Sequence, residues 1–208
     1  MIKSVYHDHD ECLSAIMELC GIEAFSLDPT YSTGNFYKNL PEPILKSDIE
    51  PQVENVMQMD CRALDFRDNS LQSIIFDPPF LATKGPSLKT SEGNVTARRF
   101  RVYDTETQLH KMYYDSLIEF YRVLRPGGFL AFKCQDKVSS GKQYFSHVYI
   151  HNWAHSLGFY PKDLMIYVHK NRISAAWQSN QQHARKFHCY WWVFQKVRPK
   201  VNFHELVR

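Results

Sequence analysis

The sequence predicts an α/β fold built on a mostly parallel sheet, and three observations carry that expectation. Short apolar runs alternate with helix-spaced segments along the 208 residues, the pattern of strands separated by crossover helices. Four strand-like runs each end in a carboxylate, at Asp28, Asp48, Asp60 and Asp77. The run Ser73-Ile74-Ile75-Phe76 stops at Asp77-Pro78-Pro79-Phe80, where two prolines end any strand because they lack the N–H and hold φ. Parallel strands bring such ends to one edge, and that edge is where open α/β sheets bind ligands.

The bulk numbers agree. A chain of 208 residues with 44% hydrophobic and 14% aromatic content buries a core unaided and forms one domain. A net charge of +3 permits a polyanionic partner without demanding one. The five cysteines are scattered and odd in number, which fits a reducing compartment better than a disulfide framework. With neither a signal pattern nor an apolar run of membrane-spanning length, the expectation is a cytoplasmic protein with no membrane partner.

Taken in order, residues 7–20 read as a helix with Leu13, Ile16, Met17 and Cys20 on one face and Asp8 or Asp10 as its cap. His7 and His9 beside those acids read as part of a polar capping segment, since no distant third ligand completes a metal set. Ala24–Leu27 is the first strand, and it breaks into a small-residue turn from Asp28 through Gly34 to Tyr37, where a backbone can approach a ligand closely. Ile44–Ile49 is the second strand. Its Asp48, twenty residues past Asp28, is placed to accept both hydroxyls of a ribose, with Glu50 as the alternative. Residues 53–62 form a third strand ending in Asp60, and Ile74–Phe76 a fourth, buried on both faces.

Asp77-Pro78-Pro79-Phe80 after an apolar strand resembles the catalytic tetrapeptide of the amino-methyltransferases, which use S-adenosyl-L-methionine to methylate exocyclic amines of bases in DNA or RNA. The resemblance implies a Rossmann-like class I methyltransferase sandwich, a seven-stranded sheet with an antiparallel last strand. It makes Asp77, Pro78, Pro79 and Phe80 the catalytic residues. The run from Asp28 to Phe36 resembles the same family's cofactor loop, matching at Asp28, Pro29 and Gly34; Thr30 stands where the family has an aromatic residue and Ser32 where it has a glycine. By that resemblance Asp28, Pro29, Thr30, Tyr31, Gly34 and Phe36 hold the cofactor, and Asp60 with the Cys61 backbone lies beside its adenine.

Residues 81–105 lack any period and mix Lys84, Arg98, Arg99 and Arg101 with Phe100 and Tyr103, a composition suited to phosphate neutralisation and base stacking or to a solvated lid. Residues 106–124 form a helix, stopped by Arg125-Pro126-Gly127-Gly128 before a fifth strand at Phe129–Lys133. Lys133, at that strand's end, is either a phosphate contact or a surface lysine. A helix from His147 to Leu157 and a strand at 163–168 follow. The basic insertion 169–186 carries Arg172 and Trp177 as nucleic-acid contacts or plain surface, and 187–194 is the final strand. His188 and Cys189 face opposite sides of that strand and do not form a metal site.

The resemblance therefore implies methylation of a nucleobase amine, adenine in DNA first. Cytosine in DNA, an RNA base, or a silent nucleic-acid-binding subunit are the alternatives. With no separate target-recognition domain, target choice falls to the insertions, to a partner subunit or second copy of the chain, or is low.

Overall fold

The computed structural model describes residues 1–82, 103–169 and 182–197. The chain opens with a two-residue strand β1 (Val5–Tyr6) and helix α1 (His9–Cys20). Asp8 caps α1 by accepting from the Asp10 and Glu11 amides, and Gly21 ends it. Strands β2 (Leu27–Asp28), β3 (Leu45–Asp48), β4 (Met57–Gln58) and β5 (Leu71–Phe76) follow. Helix α2 (Glu106–Val123) leads into β6 (Leu124–Cys134). A small hairpin of β7 (Lys137–Ser139) and β8 (Lys142–Tyr144) precedes helix α3 (Ser146–Leu157), then β9 (Tyr160–Val168) and β10 (His188–Gln195).

The main sheet has eight strands in the order β1-β9-β10-β6-β5-β2-β3-β4. β10 runs antiparallel to both its neighbours, β6 and β9, and every other pairing is parallel. The eighth strand corrects the expected seven. Val5–Tyr6 adds beside β9, pairing with Ile166 and Tyr167, and two residues are too few to show a period.

Alternation along β5 divides the core. Ile74 and Phe76 pack among Leu109, Leu117 and Phe120 on the α2 side, whereas Ile75 packs with Leu13, Ile16 and Trp191 on the α1 side, as a period of two requires. Phe76 meets Phe120 and Phe132 edge to face with ring centroids 4.8 and 4.9 Å apart, a geometry worth about 0.5–1.5 kcal/mol per pair beyond area burial.

Two expectations shift in detail, and one element is new. The strand expected over 53–62 is ordered as β4 at Met57–Gln58 alone. The hairpin β7–β8 lacks an apolar alternation in the sequence and is seen only in the structure. Arg125–Gly128, expected as a turn before a strand, is a bulge inside β6: Leu124 pairs with Leu71 and Phe129 with Ser73. Gly128 is required there, since a Cβ would lie 2.8 Å from the Arg125 carbonyl and 2.9 Å from that of Gln72.

Candidate active site

At the carboxyl end of β2 the chain folds around Asp28. Its Oδ1 accepts from the Thr30 amide at 2.8 Å and the Thr30 hydroxyl at 3.1 Å, and its Oδ2 from the Tyr37 hydroxyl at 2.6 Å. The side chain is buried, and burial pushes the carboxyl up to about 7 against the pull of the Tyr37 and Thr30 hydrogen bonds. The Thr30 hydroxyl also accepts from the Asp77 amide at 3.0 Å, so one side chain joins the ends of β2 and β5. Gly34 turns the loop at φ +68°, where a Cβ would fall 2.4 Å from the Tyr31 hydroxyl. Tyr31 stacks on Tyr37 with centroids 5.6 Å apart and donates to Glu42 at 2.8 Å. Asp48, from β3, accepts the Ser32 amide at 2.9 Å and the Glu50 amide at 2.9 Å. Burial raises its pKa and those two amides oppose the rise.

The tetrapeptide is held differently at each carbonyl. Tyr113 of α2 donates to the Pro79 carbonyl at 2.8 Å. Lys137 donates to the Phe80 carbonyl and pairs with Glu106 at 2.8 Å. The Pro78 carbonyl accepts no hydrogen bond from the described residues. Burial raises the Asp77 pKa, and Lys133, with Nζ 3.2 Å from Asp77 Oδ2, pulls it down. Asp60 is paired twice with Arg62, Oδ1 with Nε at 2.8 Å and Oδ2 with the terminal nitrogen at 2.5 Å. The turn beyond it is anchored to α2 by Glu119, which accepts the Leu64 amide at 2.7 Å, and by Arg122, which reaches the Leu64 and Phe66 carbonyls at 2.9 and 2.8 Å.

One cleft at this edge is lined by Pro29, Thr30, Asp48, Asp60 and Cys61 together with Asp77 and Pro79. Solved structures share the surrounding architecture at low identity. A Galdieria sulphuraria protein assigned as a sarcosine dimethylglycine methyltransferase matches with a TM-score of 0.54 at 14% identity, over 90% of this chain and 85% of that one. The cyclase SpnF matches with a TM-score of 0.53 at 14% identity, over 91% and 82%. The chain has the class I methyltransferase fold. A Thermus thermophilus protein assigned as a DNA modification methylase gives a TM-score of 0.45 at 18% identity over 69% of this chain, which spans about half (54%) of that one. No family model matches the sequence, and no curated protein matches it. The class I methyltransferase fold sets architecture alone, since SpnF is named for cyclisation; chemistry must be argued from the side chains at the edge.

Within that fold the sequence-predicted residues separate into those at the cleft and those behind it. Asp28, Tyr31, Gly34 and Phe36 lie behind: Asp28 and Tyr31 shape the loop, and Phe36 packs on His9 at 4.3 Å and on Trp191 at 6.4 Å. Lys133, expected as a phosphate contact or a surface lysine, is buried instead and paired with Asp77, because β6 lies directly beside β5 and Lys133 and Asp77 each follow the Phe132–Phe76 pair. Lys84, Arg98, Arg99, Arg101, Arg172 and Trp177 fall outside the described residues. Ser32, noted in the sequence only as a departure from the family's cofactor loop, and Ile49, Arg62 and Met112, which carried no assigned role, also line the cleft. Ser32 and Arg62 adjoin recognised acids and so were within reach of the sequence; Met112 comes from α2 and needed the packing. Tyr103 also lines the cleft, and its amide donates to the Leu81 carbonyl at 3.2 Å. Among the described residues no group of three His, Cys, Asp or Glu side chains is arranged to hold a metal, and no helix is long and apolar enough to cross a membrane.

Proposed function

We propose that the chain is an S-adenosylmethionine-dependent methyltransferase acting on the exocyclic amine of a nucleobase, adenine in DNA foremost. The observation that carries this is the state of the tetrapeptide: Asp77 lines the cleft as a hydrogen-bond acceptor, and the Pro78 carbonyl beside it takes no hydrogen bond from the described residues, while the next two carbonyls are tied back by Tyr113 and Lys137. An aromatic amine is a weak nucleophile because its lone pair is delocalised. Two acceptors that take both amine hydrogens favour a pyramidal nitrogen, and positioning of this kind supplies much of the rate.

The residues fit the cofactor. The Ser32 hydroxyl is buried without a partner among the described residues and lines the cleft beside Asp48, so the two offer polar contacts to a ribose. Ile49, Phe76 and Met112 supply apolar walls for an adenine ring. When bound, the cofactor supplies an electrophilic methyl group. Asp77 then accepts one amine hydrogen, the Pro78 carbonyl the other, and Phe80 presents a flat face to the ring. Asp77 is also the acceptor in place for the proton that the amine sheds. A base in a duplex must leave the stack to reach this edge, and Phe80 replaces the lost stacking.

Incubation with methyl-labelled cofactor and duplex DNA, single-stranded DNA or RNA, followed by nucleoside analysis, tests the proposal. Label in N6-methyladenine from DNA is expected. Label in N4-methylcytosine or in RNA moves the target within the same chemistry, and no binding of the cofactor leaves only a silent subunit. Asp77→Ala should lower transfer by about a hundredfold or more with cofactor affinity nearly intact; loss of both together would assign Asp77 a structural role.

A further inference from the structure

We infer that Lys133 reads the ring nitrogen adjacent to the target amine, an inference that rests on the function proposed above. Lys133 pairs with Trp191 in the β6–β10 ladder, and its ammonium is buried 3.2 Å from Asp77 Oδ2. Rings surround it, Phe36 at 4.7 Å, Trp191 at 5.4 Å and Phe80 at 5.9 Å from Nζ to centroid.

A lysine ammonium carries three donors and no acceptor. One donor goes to Asp77, and among the described residues no other oxygen or nitrogen accepts from Nζ. The ring faces offset part of the charge, yet buried donors left unmatched are costly. The Phe80 ring, the proposed stacking platform, is one wall of this box, so a base lying on it brings its edge to Nζ. Asp77 and Lys133 then form an acceptor beside a donor. The complementary ligand edge is a donor beside an acceptor, an amine next to an unprotonated ring nitrogen. Adenine offers N6–H beside N1, and cytosine N4–H beside N3. Thymine and uracil place a carbonyl oxygen beside N3–H, the reverse order. Lys133 thus selects for an amidine edge and sets which side of the base faces β6, while Asp77 and Pro78 handle the amine itself.

The test uses DNA carrying, at the methylated position, adenine, 1-deazaadenine or 7-deazaadenine; the first analogue lacks N1 and the second lacks N7, and both keep the amine. With the wild-type chain kcat/KM should fall roughly ten- to a hundredfold for 1-deazaadenine relative to 7-deazaadenine. Lys133→Met should erase most of that difference. Equal wild-type rates on the two analogues would overturn the inference even if the variant does not fold. Full discrimination retained by a folded Lys133→Met chain would overturn it as well. If cytosine is the base methylated, 3-deazacytosine replaces 1-deazaadenine and 5-methylcytosine is the control. Transfer to no base overturns the functional proposal and this inference with it, whereas transfer to adenine without discrimination overturns this inference alone.

Discussion

Asp28 and His9 both carry a titration displaced by burial, in opposite senses. For Asp28 the folded pKa of about 7 exceeds the ordinary 3.8, so the folded state holds the proton more tightly and its contribution to stability is greatest below about pH 4, declining as pH rises through about 7. Asp28→Asn should remove this decline: in paired urea titrations, the advantage of the native chain over the variant should shrink between pH 4 and pH 7. His9, packed on Phe36, is lowered from 6.5 to about 4, first by burial and then by Lys133. Its contribution is present above pH 6.5 and lost as pH falls through about 4, so His9→Phe should flatten the acid limb of the same titration. Gly34→Ala must place a methyl against the Tyr31 ring at a positive φ; an unfolding free energy lower by about 1–3 kcal/mol is expected. At this scale the sequence located the acids but not their direction. Asp28 was recognisable as a special residue, yet which way its oxygens turn depends on Tyr37, nine residues on, folding back over it.

Elements with strong local chemistry were legible. Of the two cap candidates it is Asp8 that starts α1, α3 ends at Leu157 as its spacing indicated, and the helical spacing of α2 was evident. Elements made by pairing alone were not: β1 exists because β9 offers an edge, and the β6 bulge because Gly127 and Gly128 meet Lys196 through two backbone hydrogen bonds of 2.8 and 2.9 Å. Helix α2 links packing to chemistry. Phe120, fully buried against Phe76, should cost about 3–5 kcal/mol as Phe120→Ala, seen in denaturant midpoints. Tyr113→Phe keeps that packing and removes only the bond to the Pro79 carbonyl. A stability loss near 1 kcal/mol with a larger effect on kcat than on cofactor affinity is expected, measured by single-turnover transfer beside equilibrium titration.

For the molecule as a whole, the sheet order gathers residues distant in sequence. Pro29, Asp48, Asp60 and Asp77 come from four different strand ends and line one cleft because β5-β2-β3-β4 lie side by side in parallel. Alternating apolar runs made that arrangement foreseeable; the burial of Lys133 was not, since it depends on β10 inserting antiparallel between β6 and β9 and setting Trp191 over it. Cofactor binding to this edge should stabilise the fold by mass action, about 2.7 kcal/mol at a hundredfold excess over Kd. Asp48→Ala should diminish the resulting thermal shift, and an undiminished shift would remove Asp48 from the binding set. The Lys137 contact has a consequence at this scale too. Its ammonium links the first residue of a surface hairpin to the opening turn of α2 and to the Phe80 carbonyl. The backbone of Phe80 is therefore fastened to a peripheral ornament, and under the proposed function substitutions confined to that ornament should alter ring preference while leaving methyl-donor affinity unchanged.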